Sequence, residues 1–335
     1  MKYGSRIIST GLGSPSLKYT NDDLSKIVET NDEWIHTRTG IRERRFIDFE
    51  KGETITDLCV RAAEQALERA QLKASDIDLV LSGTISAETF MPNNSARVIG
   101  RLGMKGIAGF DLSAACGGFL FALHTANAMI QSGAHKRVMI FGADVLSAAI
   151  NMKDRATCVL FGDGAGCAIL ERFENPDPLK DSMVLGSKIY TDFDATDALT
   201  INAGGSRAPT FRHDLHEKHS PYIQMSGQDV FKHAVKGMVH AATELLTELK
   251  IPITDVKWFV PHQANLRIIE MTAKYLNFPM DRVFVNIDRW ANTSAGTIGI
   301  ALSEMQEQNK LHKGDLVLID VFGGGFNYGA ALVRW

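Results

Sequence analysis

The chain has 335 residues, 45% of them hydrophobic and 22% charged, with a formal net charge of −3. This is the composition of a globular protein long enough for two layered halves around a sizeable core. It excludes a disordered chain and argues against general nucleic-acid binding, while leaving room for a local basic patch. The start, Met1-Lys-Tyr-Gly-Ser-Arg-Ile-Ile, lacks an apolar export core, and no later apolar run reaches membrane-spanning length. No membrane insertion and a cytoplasmic location are therefore expected. Cys59, Cys116, Cys158 and Cys167 show no paired spacing and no C-x-x-C, which suits a reducing compartment and offers no metal cage.

In chain order, Arg42-Glu-Arg-Arg45 reads as a solvated face, and a helix from Leu58 to Ala70 precedes a strand at Ile77-Asp-Leu-Val-Leu. A strand-like run, Ile107 to Leu112, meets the small-residue junction Ser113-Ala-Ala-Cys116-Gly-Gly. Apolar residues then recur at helical spacing (Phe119, Leu120, Leu123, Ala126, Ile130). Strands follow at Arg137-Val-Met-Ile-Phe and Gly164-Ala-Gly-Cys-Ala-Ile-Leu. Glu174-Asn-Pro-Asp-Pro-Leu-Lys-Asp is a turn-rich linker, and residues 192–221 form a polar, irregular insertion. Its His213, His216 and His219 read as solvated loop residues, so no metal is expected. The second half repeats the first: a helix to Leu249, strands at Val256-Lys-Trp-Phe-Val and Val283-Phe-Val-Asn-Ile leading to Asn292 and a helix, then strands at Leu316-Val-Leu-Ile-Asp and Gly329-Ala-Ala-Leu-Val. Asp76 and Asp255, Cys116 and Asn292, and Val138 and Val317 recur at a nearly constant offset. A duplicated, mostly parallel α/β architecture is expected, with halves at 1–174 and 175–335.

Cys116 falls at a predicted helix N-terminus, where unpaired backbone N–H groups and the helix dipole favour thiolate, the form a nucleophile needs. The plainer reading is a small core cysteine. His262 and Asn292 likewise lie between a predicted strand and a predicted helix, so all three converge on one crevice at strand C-termini. Without that convergence, His262 would read as a buried structural histidine. Gly162-Asp-Gly-Ala-Gly166 runs into a strand, so it fails as a phosphate loop.

Six segments taken together, Thr30-Asn-Asp-Glu-Trp34-Ile-His-Thr-Arg38-Thr-Gly-Ile-Arg-Glu-Arg, Ala115-Cys116-Gly-Gly-Phe, Phe161-Gly-Asp-Gly-Ala-Gly, His262-Gln-Ala-Asn-Leu-Arg, Asn292-Thr-Ser-Ala-Gly and Phe322-Gly-Gly-Gly-Phe, span nearly the whole chain. In them the sequence resembles the β-ketoacyl-acyl-carrier-protein synthase III family of the thiolase-like superfamily. The resemblance implies a thiolase-like duplicated α/β fold in five layers, α-β-α-β-α. It implies an acyltransferase without a cofactor. Cys116 takes an acyl group from an acyl-CoA, by default acetyl-CoA, and decarboxylative condensation with malonyl-acyl carrier protein gives a 3-ketoacyl product, CoA and CO₂, initiating fatty acid synthesis. The catalytic residues become Cys116, His262 and Asn292, with an oxyanion hole from the backbone N–H groups of Cys116 and Gly324. A neutral His262 and the Asn292 amide would donate to the developing enolate, where a carboxylate would repel it. Thr30, Trp34, Arg38, Arg155, Gly227 and Asn265 match positions lining the route for coenzyme A or the carrier's phosphopantetheine, Trp34 and Arg155 stacking on the adenine. Lys232, Arg267 and Lys274 match the positions that dock the acidic carrier, and a homodimer is implied.

The sequence departs from the family in three places. Met91 stands where an aromatic residue often reaches into the partner subunit's acyl pocket, Ala291 stands where glycine is usual, and the insertion at 192–221 is longer. Other primers, a role in secondary metabolism, or hydrolysis of acyl thioesters therefore stay open as alternatives. A papain-like protease would require its own local cysteine signature, and a degradative thiolase would require a second catalytic cysteine beyond Cys167; neither is present.

Overall fold

The computed structural model describes residues 2–193 and 196–335; Asp194 and Ala195, within the predicted insertion, lie outside the described residues. Two sheets carry the fold. In the first the strand order is Tyr3–Gly13, Gly164–Glu174, Arg137–Asp144, Leu79–Gly83, Ala108–Leu112; in the second it is Trp258–Pro261, Leu316–Gly323, Asn327–Arg334, Met183–Thr191. The helices Gly118–Gln131 and Gly296–Glu307 lie between the sheets. Ile55–Ala70 and Asn94–Arg101 cover the outer face of the first sheet, and Gly227–Leu249 and Leu266–Tyr275 that of the second. These are the five layers α-β-α-β-α.

The expectation of mostly parallel sheets is corrected. Only the Leu79–Gly83 strand pairs parallel on both sides; Gly164–Glu174 and Asn327–Arg334 are antiparallel to both their neighbours. The reason is the connections. Only the short Arg155–Cys158 helix and a 3₁₀ turn at Leu146–Ala148 intervene before Gly164, and Leu316–Gly323 returns through Gly324, Gly325 and Phe326. Parallel return needs a crossover of about a dozen residues or more, usually a helix; the 324–326 link is too short for one, and the longer link before Gly164 holds no helix of that length. The predicted strand at Val283 reduces to a single parallel bridge from Val283 to Phe259. Gln263 takes over as a side-chain partner there: its Nε2 donates to Phe284 O (3.1 Å) and its Oε1 accepts from Asn286 N (3.0 Å). A short helix, Ile287–Trp290, follows.

Arg42 to Arg45 is not a solvated face throughout. The strand Glu43–Phe46 pairs with Leu17–Thr20 and turns alternate residues inward. Arg44 is fully buried, donating to Asn21 Oδ1 (2.7 Å) and Val159 O (2.9 Å), and Arg45 stacks on Trp290. Bonding of the guanidinium to fixed oxygens is what makes burial of Arg44 tolerable.

Glycine lets the two central helices meet the first sheet at backbone distance. A Cβ on Gly142 would stand 2.0 Å from Ala295 O, and one on Gly166 would stand 2.4 Å from the Gly299 backbone. A Cβ on Gly118, at the start of the first central helix, would lie 3.0 Å from Ala295. The helix starts that follow Cys116 and Asn292 are thereby pressed together.

Candidate active site

Cys116 sits in a 3₁₀ turn, Ala115–Gly117, that leads into the Gly118–Gln131 helix; Ala115 before it has φ 48°. His262 follows the strand Trp258–Pro261, and its backbone N–H donates to Asp320 O (2.7 Å). Asn292 follows the Ile287–Trp290 helix, held by backbone bonds to Leu160 and Gly162. The three side chains line one cavity of about 240 Å³. Convergence is thus met. The local expectation is not: His262 and Asn292 each precede their helix by several residues, with Asn265 capping Leu266–Tyr275 and Gly296 opening the last helix.

Each polar group has a defined partner. Asn292 Oδ1 accepts from Ser294 N (2.9 Å), which orients the amide so that its NH₂ is left for the cavity. His262 Nδ1 lies 2.7 Å from Thr297 Oγ1, leaving Nε2 for the cavity. Burial lowers the imidazole pKa to about 3, so His262 is neutral. Burial pushes the Cys116 thiol up to about 12, with the Asp144 carboxylate adding to the rise. This corrects the expected thiolate: the cysteine is 7% exposed, and the cost of a buried charge outweighs the pull of the helix end. The remaining bond to sulfur comes from Ser294 Oγ at 3.3 Å.

A second, apolar pocket of about 70 Å³ opens on the other side of Cys116, lined by Ile85, Leu146, Phe161, Leu199, Ile223 and Gly324 among others. Leu199 and Ile201 come from the insertion at 192–221, so the start of that segment is part of the site; its three histidines join no cluster that could hold a metal among the described residues. Gly324 lies beside Ala115 there, and a Cβ on Gly323 would stand 2.6 Å from Cys116 N. Only glycine lets this turn lie against the cysteine backbone.

The wide cavity leads outward past Trp34, Arg38, Gly227 and Asn265. Asn31 caps the Asp32–Thr39 helix, setting Trp34 and Arg38 on one face, and the Arg38 guanidinium carbon lies 4.5 Å from the indole centre. Arg155 also stacks on Trp34, at 4.6 Å, while donating to Glu29 O. A third planar group therefore enters between them only if Arg155 swings aside. Arg155 and Thr30 lie beyond the cavity's lining; the Thr30 hydroxyl is buried without a partner. Asn265 Nδ2 donates to Arg38 O (3.2 Å) and Arg267 to Thr37 O (3.0 Å), tying two helices together at the mouth. Lys232, Arg267 and Lys274 are all exposed, on the packed helices Gly227–Leu249 and Leu266–Tyr275. Met91 is 87% exposed and Phe90 86%, away from both cavities of their own chain.

Residues 110–192 match the family described as 3-Oxoacyl-[acyl-carrier-protein (ACP)] synthase III, and residues 246–335 match its C-terminal region. A beta-ketoacyl-[acyl-carrier-protein] synthase III of Roseiflexus sp. (strain RS-1) is 44% identical over 325 residues, covering 97% of this chain and 96% of its own. The chain belongs to the β-ketoacyl-[acyl-carrier-protein] synthase III family. It is accordingly an acyltransferase, a condensing enzyme of fatty acid synthesis. The solved structure of the synthase III from Aquifex aeolicus VF5 superposes with a TM-score of 0.90 at 40% identity, covering 99% of this chain and 100% of its own. The priming β-ketosynthase of the R1128 polyketide pathway does so with 0.89 at 31% identity, over 99% and 96%. The synthase III fold thus accounts for the five layers. The residues that sequence reading missed are Ser294, Thr297, Asp144 and Leu199; Ser294 lies in the Asn292-Thr-Ser-Ala-Gly stretch and Thr297 directly follows it, which was the available signal.

Proposed function

We propose that Cys116 accepts a short acyl group from an acyl-CoA and passes it to the malonyl unit of malonyl-acyl carrier protein, with Cys116, His262 and Asn292 as the catalytic residues. The observation that carries this reading is the position of Cys116 between two cavities, one leading out past Trp34, the other a small apolar pocket. A thioester entering by the first brings its carbonyl to sulfur and its acyl tail to the second. The pocket's small volume favours acetyl or a similarly short primer. Attack by sulfur makes an oxyanion, held by the backbone N–H groups of Cys116 and Gly324. CoA then leaves. Malonyl-carrier protein enters by the same route; as CO₂ departs, negative charge builds on the thioester oxygen, and His262 Nε2–H and the Asn292 amide donate to it. In this mechanism the Thr297 hydroxyl, which also lies 3.1 Å from Ser294 O, donates to His262 Nδ1 at 2.7 Å, which puts the ring proton on Nε2. The enolate carbon attacks acyl-Cys116, giving the 3-ketoacyl product by a ping-pong course. The chemistry uses no metal or cofactor in this reading.

Thr30, Trp34, Arg38, Arg155, Gly227 and Asn265 hold the CoA or phosphopantetheine portion, and Lys232, Arg267 and Lys274 dock the carrier. The site is completed in a homodimer. The exposed edge strand Ala108–Leu112 and the exposed Ile85, Phe90 and Met91 support that assembly, with Met91 of one copy closing the acyl pocket of the other. The division at 1–174 and 175–335 follows the two sheets, and a cytoplasmic setting suits four free cysteines. Intact-mass measurement tests the reading. Wild type, and not Cys116→Ala, gains an acyl mass from an acyl-CoA and loses it as ketoacyl product when malonyl-carrier protein is added. Wild type that stays unmodified, or sheds its acyl group to water, overturns it.

A further inference from the structure

The Cys116 sulfur must carry negative charge twice: as it attacks the acyl carbon of an acyl-CoA, and as it leaves that carbon in the condensation. Its surroundings oppose both. Burial raises the thiol pKa to about 12, the Asp144 carboxyl adds to the rise, and among the described residues no cation is one of the groups acting on the sulfur. His262 is neutral, and the Arg38 cation stands on the outward route of the wide cavity. One side chain works in the opposite sense. The Ser294 hydroxyl donates to Cys116 Sγ at 3.3 Å, a bond that favours the ionised sulfur. Ser294 is 1% exposed and held at φ 52°, a left-handed conformation that persists only where the surroundings fix it. Two backbone bonds do so: its N–H donates to Asn292 Oδ1 (2.9 Å), and its carbonyl accepts from Thr297 N (3.3 Å). With the backbone so tied, the hydroxyl is aimed at the sulfur, on the wall of the small apolar pocket.

We propose that Ser294 is a further catalytic residue, whose hydroxyl bonds the charged Cys116 sulfur in both half-reactions. This rests on the reading of Cys116 as the acyl acceptor. In the condensation the bond between the malonyl carbon and its carboxylate breaks, releasing CO₂ and leaving the electron pair on the enolate. The enolate carbon forms the new C–C bond to the acyl carbon, and the C–S bond to Cys116 breaks with its pair kept by sulfur. The charge that arrived on the malonyl carboxylate is now on Cys116, and no proton has moved. The Ser294 O–H meets this thiolate with a charge-assisted bond, about twice as strong as a neutral one. The thiolate then takes a proton from water. Loading passes through the same charged sulfur: the thiol gives its proton to water, the sulfur pair forms the C–S bond to the acyl carbon, the thioester's own C–S bond breaks, and the departing CoA sulfur takes a proton from water. In both steps Ser294 keeps its own proton. Its bond is to the sulfur, not to the thioester oxygen that His262 and Asn292 serve.

The test compares full-length wild type, Ser294→Ala and Ser294→Gly in two steps measured apart. One is single-turnover acylation by acetyl-CoA, followed by intact mass. The other is CO₂ release from malonyl-carrier protein by enzyme driven to full acylation beforehand, with ketoacyl product counted against CO₂. Thermal melts verify folding, and Ser294→Gly suits the positive φ should the alanine variant not fold. Both variants are expected to acylate about tenfold or more slowly, because a hydrogen bond to a charged sulfur is lost. CO₂ release should stay within about threefold of wild type, while less ketoacyl product forms per CO₂ because more of the enolate is protonated before sulfur can leave. A folded variant that acylates at the wild-type rate overturns the assignment. So does an equal loss in acylation and CO₂ release, the mark of a displaced Asn292, whose amide the Ser294 N–H orients, rather than of a bond lost at sulfur. Wild type that never acylates overturns the underlying reading of Cys116 instead.

Discussion

Asn292→Asp separates the two halves of the reaction. Asn292 is 6% exposed, and its Oδ1 already accepts the Ser294 N–H at 2.9 Å, so an aspartate keeps that bond and the loop with one oxygen. The other oxygen replaces a donor with an acceptor at the point where malonyl decarboxylation develops negative charge. Losing one donor at such a site costs about 2.7–4 kcal/mol, or roughly 10²–10³ in rate. The new carboxylate also pulls the His262 pKa up from about 3, against the neutral donor form. The assay is CO₂ release from malonyl-carrier protein by enzyme already acylated on Cys116, beside acylation measured separately. Decarboxylation should fall by about 10²–10³ while acylation falls far less, because Ser294, not Asn292, bonds the sulfur. Equal losses in both steps, or decarboxylation within about threefold of wild type, would refute the assignment.

Three further outcomes are expected. Ala291 is fully buried at φ 56° and ψ −159°, a conformation that suits glycine; relief of about 1–3 kcal/mol of strain offsets the lost methyl and the added chain entropy. Ala291→Gly should leave the urea midpoint at or above that of wild type, and a loss above about 1.5 kcal/mol would mean the backbone is unstrained. His262 has a folded pKa of about 3 against about 6.5 when unfolded. Between those values the unfolded chain binds a proton that the folded chain does not, so stability rises with pH across that window and is lost on acidification. The slope approaches about 1.4 kcal/mol per unit. His262→Gln should shrink the stability difference between about pH 7 and about pH 5 by about 2 kcal/mol, read from urea denaturation at each pH. Reversing charge at Lys232, Arg267 and Lys274 together should raise KM for malonyl-carrier protein about tenfold and weaken its salt dependence. KM for acetyl-CoA should change little; an equal rise in both would place these residues on the CoA route instead.

Cys116, His262 and Asn292 were legible in the sequence because each carries a local pattern with a physical meaning: a small-residue junction before a helix, or a polar residue just past an apolar run. The oxyanion turn at Gly323 to Gly325 was legible for a related reason, since a run of glycines marks backbone that something must approach closely. The elements were legible where hydrophobic period alone decides them, as in the helix Ile55–Ala70 and the strand Leu316–Gly323. Strand direction was not, because it depends on how far a connection must travel, and the strand at Val283 failed because Gln263, brought from elsewhere in the chain, takes over its backbone partners.

The sequence by itself determined the duplicated architecture and the chemistry-bearing side chains, since periodicity and residue type are local properties. Only the tertiary structure decided their states. Burial makes Cys116 a thiol and His262 neutral, and desolvation depends on what the whole fold packs around a group. The same packing brings Leu199 to the acyl pocket, Ser294 to the sulfur and the Asp144 carboxylate to Ala295 N, contacts between residues far apart in the chain that no spacing announces. Arg44 makes the same point: its charge suggested solvent, and the oxygens of Asn21 and Val159 gave it a place inside.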